Sequence, residues 1–217
     1  MKTPSWEIGV QLDRNWASLK AGLDSEGAKR LNENFDLVHA ITRGEISRPK
    51  PVLLKLCASG VAIPEAPAVK IADCFKVGDG VYAYRDSDFD RLLPEEIQAV
   101  GAGNASTFEL AKELNFQEMA EAHLGIKGSL DELKKVLIEQ GKTWSPKQID
   151  ELIRQCEKGE NPLKLRTDGS ANIFFIEVNG YVFAVYASRS SDGWYVSVFE
   201  FGYANPRYAE DRVSFRN

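Results

Sequence analysis

Aromatic and β-branched residues concentrate in the last third of the chain, in two segments that cover residues 172–178 and 181–188. Only Asn179 and Gly180 separate the two segments. A type I′ turn requires positive φ at both central residues, and Asn-Gly tolerates that conformation, so the pattern predicts a β-hairpin. Residues 194–201 predict a third strand, which makes a three-stranded antiparallel meander. The predicted hairpin pairs are Val178 with Tyr181, Ile176 with Phe183 and Phe174 with Val185.

Upstream of the meander, four segments have apolar residues at helical spacing. Each segment follows a residue that is typical of a helix start. Ser106 with Glu109, and Ser129 with Glu132, fit the capping box, in which a hydroxyl and a carboxylate each satisfy a backbone N–H. Asn115 begins a looser version, and Ser145 precedes a proline at the first helical position. The sequence therefore predicts four capped helices that pack on the meander, over residues 107–114, 116–124, 130–140 and 146–158.

The first half of the chain has weaker patterns. Helical spacing within residues 13–44 predicts a helical hairpin, and residues 51–59 predict a short helix that Gly60 stops. Residues 69–84, with a turn at 78–80, predict a small β-hairpin. Pro94 and the acids after it predict another short helix.

These patterns together predict an α+β fold. It consists of a mostly helical N-terminal part with a small β-hairpin, then four short capped helices packed on a C-terminal three-stranded antiparallel meander. The small, flexible segment at residues 101–105 is the predicted boundary. It divides the chain into domains 1–103 and 104–217.

Composition and charge restrict the class of function. The 217 residues are 43% hydrophobic, which is ample for a core, and the net charge of −5 is spread thinly. No segment is basic enough for phosphate-backbone binding, so a nucleic-acid partner is not expected. Cys57, Cys74 and Cys156 are an odd, scattered set, typical of free thiols in a reducing compartment. The N-terminus has no apolar signal core, so we expect a cytoplasmic protein that does not bind membranes.

Several short patterns resemble chemical motifs without completing them. Glycines at 101 and 103 resemble a dinucleotide loop, but the residues before them do not resemble a strand. Asp86, Asp88 and Asp90 resemble the start of a calcium loop that lacks the later glycine and glutamate. The cysteines do not have zinc spacing with His39 and His123, and a Cys-His catalytic pair would have to form in the fold. We therefore expect no cofactor, no metal and no catalytic residue.

The remaining signal is the aromatic content of the meander, both of whose faces are more apolar than a solvent-exposed face. One interpretation is that helices and the N-terminal half cover both faces. The other is that part of one face binds a protein, because tyrosine and tryptophan supply large contact area. The candidate binding residues are Tyr181, Val182, Tyr186, Trp194, Tyr195 and Tyr203.

The functional hypothesis is a non-enzymatic intracellular protein that binds and occludes a protein partner, or that pairs with a second copy of itself. By fold-level analogy with small proteins of phages and other mobile elements, we expect an inhibitor-like protein that a phage or mobile element encodes. One alternative is a DNA-binding regulator that uses the helices around residues 116–140. Another is a small enzyme with an acidic or Cys-His site between the two halves.

Overall fold

A computed structural model describes residues 52–217. This part of the chain forms nine strands and four α-helices. The strands are β1 Leu54–Ile63, β2 Val69–Lys70, β3 Tyr82–Arg85, β4 Glu96–Ile97, β5 Gly103–Leu110, β6 Ala171–Val178, β7 Tyr181–Ser190, β8 Gly193–Glu200 and β9 Arg212–Arg216. The helices are α1 Asp88–Leu92, α2 Phe116–Leu124, α3 Leu130–Glu139 and α4 Pro146–Glu157.

Seven of the strands form one mixed sheet in the order β1-β5-β9-β6-β7-β8-β3. The β9–β6 and β8–β3 pairs are parallel and the other neighbours are antiparallel, while β2 and β4 pair separately. Strands from before and after residue 104 share the large sheet, and residues 52–217 form one compact unit. The predicted division at residue 103 also includes residues 1–51, which lie outside the described part, so it stays a prediction.

The predicted fold class is wrong, because the predicted meander, β6-β7-β8, is only part of a large mixed sheet of seven strands. Residues 107–110 of the predicted helix 107–114 belong to strand β5, and the segment 51–59 belongs largely to strand β1. These two strands pair with each other, and β5 also pairs with β9. Such long-range hydrogen bonds override the local helix signals of both segments.

Two further predictions for the first half are also wrong. Residues 69–84 do not form a hairpin, because β2 pairs with β4 and β3 pairs in parallel with β8. Pro94 does not begin a helix, because the residues after it form β4. The predicted helices within residues 13–44 lie outside the described residues.

The hairpin and three of the helices are confirmed. Strands β6 and β7 pair in the predicted register around Asn179 and Gly180, which both have positive φ. Helices α2, α3 and α4 begin after Asn115, Ser129 and Ser145, and each start is a complete capping box. Local chemistry is sufficient at these places because the turn and the caps involve residues close in sequence.

Helices cover the sheet on both sides. On one side, called here the α2 face, helices α2 and α3 pack over a core that includes Ile173, Phe175 and Phe215. On the other side, the α4 face, helix α4 and the residues around α1 pack over Phe174, Ile176 and Trp194. Because successive side chains of a strand point to opposite faces, β6 contributes to both cores.

Candidate functional site: an aromatic strip on the sheet

Strand β8 is buried on one face and open on the other. Trp194, Val196 and Val198 point to the α4 face and are fully buried, at 1% exposure or less. Tyr195, Ser197 and Phe199 alternate with them on the α2 face, where they are exposed or half-buried. Helices α2 and α3 therefore leave part of the α2 face open at β8.

The open part of the α2 face carries aromatic side chains. Tyr84 on β3 stacks on Tyr195, with ring centroids 5.9 Å apart. Farther along β8, the ring of Phe199 lies 6.4 Å from Tyr186 and 5.1 Å from Tyr203. We call these five residues the aromatic strip. An antiparallel sheet commonly presents polar residues to solvent, so an open row of aromatic rings is a departure that needs a reason.

Arg207 lies at one end of the aromatic strip, among four aromatic rings. Its guanidinium carbon is 4.6 Å from the ring centroid of Phe199, 5.2 Å from Tyr186 and 5.3 Å from Tyr203. The fourth ring belongs to Phe116 of α2, at 4.9 Å. A guanidinium over aromatic faces is attracted by the ring quadrupoles, so the rings hold the cation in place.

The backbone fixes Arg207 as well. Its N–H donates to the carbonyl of Leu114 at 2.8 Å, and its own carbonyl accepts from the Leu114 N–H at 3.2 Å. Asp211 stabilises the same loop by accepting from the N–H groups of Ala171 and Tyr208. Burial raises the pKa of the Asp211 carboxyl above its usual value.

The structure brings three of the six predicted site residues together. Tyr186, Tyr195 and Tyr203 all belong to the aromatic strip. Val182 shares their face but is 2% exposed, and Trp194 is fully buried on the opposite face, where its Nε1 donates to Glu157. Tyr181 lies at the hairpin turn, 66% exposed, and its position in β7 points it to the α4 face.

Sequence reasoning missed Tyr84, Phe199 and Arg207. Alternation along β8 could have placed Phe199 beside Tyr195, because residues two and four apart share a face. Tyr84 could not be found in this way, because its parallel pairing with β8 joins residues that are distant in sequence. Arg207 had no signal of its own.

A polar depression of about 640 Å³ lies elsewhere, beyond the end of α4. Its charged side chains are engaged in ion pairs: Arg189 donates from Nε to Glu157 at 2.6 Å, and Asp168 pairs with Arg166, which lies outside the lining. Burial raises the pKa of the Cys156 thiol in its wall. The depression therefore presents neutralised charges and a protonated thiol instead of an activated nucleophile.

A buried ionic network links α4 to the loop before β3. The carboxylate of Asp150, which is 1% exposed, accepts from the hydroxyl of Tyr82 at 2.7 Å and from Nε of Arg154 at 3.1 Å. Arg154 also pairs with Asp79. Burial raises the pKa of the nearby Cys74 thiol to about 12. The buried Asp150 carboxylate and its partners satisfy each other, and Arg154 and Asp79 are partly exposed, which is the arrangement of a structural network.

The other chemical candidates have structural roles. Arg91 and Arg85 hydrogen-bond Asp88 and Asp90 and hold the pKa values of these carboxyls below their usual range. Within residues 52–217, no group of three or more His, Cys, Asp or Glu side chains is placed to hold a metal ion. The glycine segment leads into β5 and not into a helix, and Gly103 makes room for the guanidinium of Arg216.

Among the described candidates, His123 does not meet Cys74 or Cys156. His123 stacks on Phe215 in the α2-face core, whereas Cys74 and Cys156 pack with the α4-face core. The sheet therefore lies between them. His39 falls outside the described residues.

The helices suggested for DNA binding pack on the sheet. Phe116 and Met119 of α2, and Leu133 and Leu137 of α3, are buried in the α2-face core. The two lysines of α3 pair with acids of the same helix, Lys134 with Asp131 and Lys135 with Glu139. The positive charge of α3 is therefore locally balanced.

No protein-family model, curated protein or solved structure matches this chain. Among the helices of residues 52–217, none is long and apolar enough to cross a bilayer. The function must therefore be inferred from the geometry of the chain itself.

Proposed function

We propose that this chain is a non-enzymatic, cytoplasmic protein-binding module that occludes a protein partner, and that the aromatic strip is its contact surface. The observation that carries the proposal is the open face of β8, which presents Tyr195 and Phe199 while its other face is buried. Tyrosine supplies large contact area at a low cost in conformational entropy, and aromatic residues are enriched in protein interfaces.

The rings of the aromatic strip contact one another, which favours binding. Tyr84 and Tyr195 stack on one another, and Phe199 contacts both Tyr186 and Tyr203. Four of the five residues stand on paired strands of the large sheet, and Tyr203 follows β8 directly. Side chains that are already ordered lose little freedom on binding, so more of the contact energy appears as affinity. A central aromatic cluster is also the usual composition of an interface hot spot.

An occluding role accords with the chemistry of the other polar groups. The charged side chains of the depression beyond α4 are paired, Arg189 with Glu157 and Asp168 with Arg166, and the carboxylate of Asp150 is buried in the core. The thiols of Cys74 and Cys156 have raised pKa values because they are buried. A module of this kind affects its partner by covering a surface, not by transforming a substrate.

The experiment is a quantitative affinity capture from extract of the cells that encode the protein. We compare the unchanged chain with Tyr195→Ser and Tyr203→Ser, and we use Tyr181→Ser as a matched control on the opposite face. We expect the two strip variants to lose about tenfold or more of the captured protein, because each removes a hot-spot ring, while the control captures as before. Equal capture by all four proteins would contradict the proposal.

A further inference from the structure

We propose that Asn179, at the turn between β6 and β7, is a site of intramolecular covalent modification, with the carboxylate of Glu177 as the base. The reaction is deamidation, in which the backbone nitrogen of Gly180 attacks the side-chain amide of Asn179 and water completes the conversion. The inference goes beyond the proposed function and does not depend on it, because no partner protein takes part in the reaction.

The turn presents both reacting groups to solvent. Asn179 and Gly180 are exposed and adjacent in sequence, so bond formation between them closes a five-membered ring. Nothing lies within 4 Å of a Cβ atom placed on Gly180, so the surrounding protein leaves room at the attacking residue. Glycine itself has no side chain to hinder the approach of its nitrogen. Asparagine is one of the chemically labile residues of proteins, and this one has an unhindered nucleophile beside it.

The carboxylate of Glu177 lies at the nitrogen that attacks. The N–H of Gly180 donates to Glu177 Oε1 at 2.6 Å. A general base must lie within hydrogen-bond distance of the proton that it accepts, and Glu177 meets this condition. The residue stands on β6, where it pairs with Val182 of β7, so the sheet holds it beside the turn.

The atoms of the reaction balance without an oxidant or a cofactor. The nitrogen of Gly180 forms a bond to Cγ of Asn179 while its proton passes to the carboxylate of Glu177. The bond from Cγ to Nδ2 then breaks, and the leaving nitrogen takes the proton from Glu177 and departs as ammonia. Water opens the resulting imide ring at one of its two carbonyl carbons. Opening at Cγ gives aspartate, and opening at the backbone carbonyl carbon gives isoaspartate.

The two products differ in their effect on the turn. Asp-Gly is also favoured in a type I′ turn, so aspartate keeps the hairpin. In isoaspartate the main chain runs through the former side chain and contains one additional atom. Because a two-residue loop fixes the register of the hairpin, the longer chain weakens the pairs nearest to the turn, Val178 with Tyr181 and Glu177 with Val182.

The test follows each asparagine of the full-length protein during incubation in neutral buffer. Peptide mapping by mass spectrometry locates the acid products, and electron-transfer fragmentation distinguishes aspartate from isoaspartate. We expect both products at Asn179. Asn104 is the internal control, because it is also exposed but precedes Ala105, which is fully buried between β1 and β9. We expect no product at Asn104 over the same period.

Two variants test the role of Glu177. Glu177→Gln keeps the size of the side chain but removes the base, so the conversion of Asn179 should slow by about tenfold or more. Glu139→Gln alters an exposed glutamate of α3 and should leave the rate unchanged. A purely structural role of Glu177 predicts the opposite sign, because a loosened turn lets the amide of Asn179 reach Gly180 more often.

Each contrary result has its own meaning. An equal or faster conversion of Asn179 in Glu177→Gln would overturn the role of Glu177 as the base. The absence of acid products at Asn179, or their formation at Asn104 at the same rate, would overturn the whole inference. None of these results involves the aromatic strip, so a failure here is distinct from a failure of the proposed function.

Discussion

His123 shows how burial gives a residue an effect that its type alone does not reveal. Its imidazole ring lies parallel to the ring of Phe215, with centroids 3.7 Å apart, and its edge contacts Phe108. Burial, and secondarily the charge of Lys142, lower the pKa of His123 to about 4. The native protein therefore keeps His123 neutral, and its position in a core explains why it is not a catalytic candidate.

The lowered pKa predicts an acid-sensitive fold. In the unfolded chain His123 takes up a proton near pH 6.5, whereas the native chain does so only near pH 4. The contribution of neutral His123 to the free energy of unfolding is therefore fully present above pH 6.5. It is lost as the pH falls toward 4, and the loss is at most about 3 kcal/mol. Urea unfolding between pH 7 and 4 measures it. The His123→Gln variant cannot take up this proton, so its free energy of unfolding should fall less steeply with decreasing pH than that of the unchanged protein. The same dependence on pH in both proteins would contradict the lowered pKa of His123.

The carboxylate of Asp150 is the second residue whose surroundings determine its effect. Asp150→Ala leaves the Tyr82 hydroxyl and the Arg154 guanidinium without their buried acceptor. Breaking a buried ion pair in this way costs about 3–5 kcal/mol. Glu151→Ala is the matched control, because Glu151 is 38% exposed and pairs with Lys147 alone, so the expected loss is below about 1 kcal/mol. Equal losses in thermal or urea unfolding would show that the network does not stabilise the fold.

Among the elements, the β7–β8 turn also positions an edge strand. Gly193 has φ of +142°, and a Cβ atom at this position would lie 2.8 Å from the backbone N of Ala83 and 3.0 Å from the carbonyl oxygen of Val81. The close approach allows β3 to pair with β8. The same pairing brings Tyr84 onto Tyr195, so Gly193 shapes the aromatic strip.

Gly193→Ala should therefore separate β3 from β8. We expect a loss of about 2 kcal/mol or more in unfolding free energy, since both the backbone conformation and the contact become unfavourable. NMR contacts between the rings of Tyr84 and Tyr195 should disappear as well. Gly60→Ala is the control, because Gly60 also has positive φ but nothing lies within 4 Å of its Cβ position. Its expected cost is about 1–2 kcal/mol, with the ring contacts kept. Retention of these contacts in Gly193→Ala would contradict the account.

Elements whose signals are local could be predicted from the sequence. The Asn179-Gly180 turn determined the register of β6 and β7, and the capping residues determined where α2, α3 and α4 begin. By contrast, β5 has a Ser-Thr-Phe-Glu segment that fits a capping box yet forms a strand. Its partners are β1 and β9, which lie about fifty and a hundred residues away. No local pattern contains that information.

At the scale of the whole molecule, one strand near the C-terminus shows the limits of pattern reading. Val213 and Phe215 of β9 are fully buried, because β9 lies between β5 and β6 and completes the sheet. The sequence patterns predict no strand in residues 203–217, and Tyr208 of the same segment is 71% exposed. Three of the predicted tyrosines lie in the aromatic strip, but the sequence did not indicate how far the strip extends. Its extent depends on where helices α2 and α3 stop covering the sheet.

The placement of helices on the sheet determines the candidate site. Helices α2 and α3 cover the side of the α2 face that includes β5, β9, β6 and part of β7, and the open rings lie on β8, β3 and the rest of β7. Because the α4 face of β8 is buried, a partner can reach this strand from one side only. The central claim is that this open side of β8 is where a partner protein binds.

Photo-crosslinking inside the encoding cells tests this claim most directly. A benzophenone amino acid replaces Tyr195 in one protein and Tyr181 in another, since both are exposed tyrosines but lie on opposite faces. The account predicts a covalent adduct with one defined protein from position 195 and none from position 181. Adducts from position 181 alone, or the same yield from both positions, would contradict it.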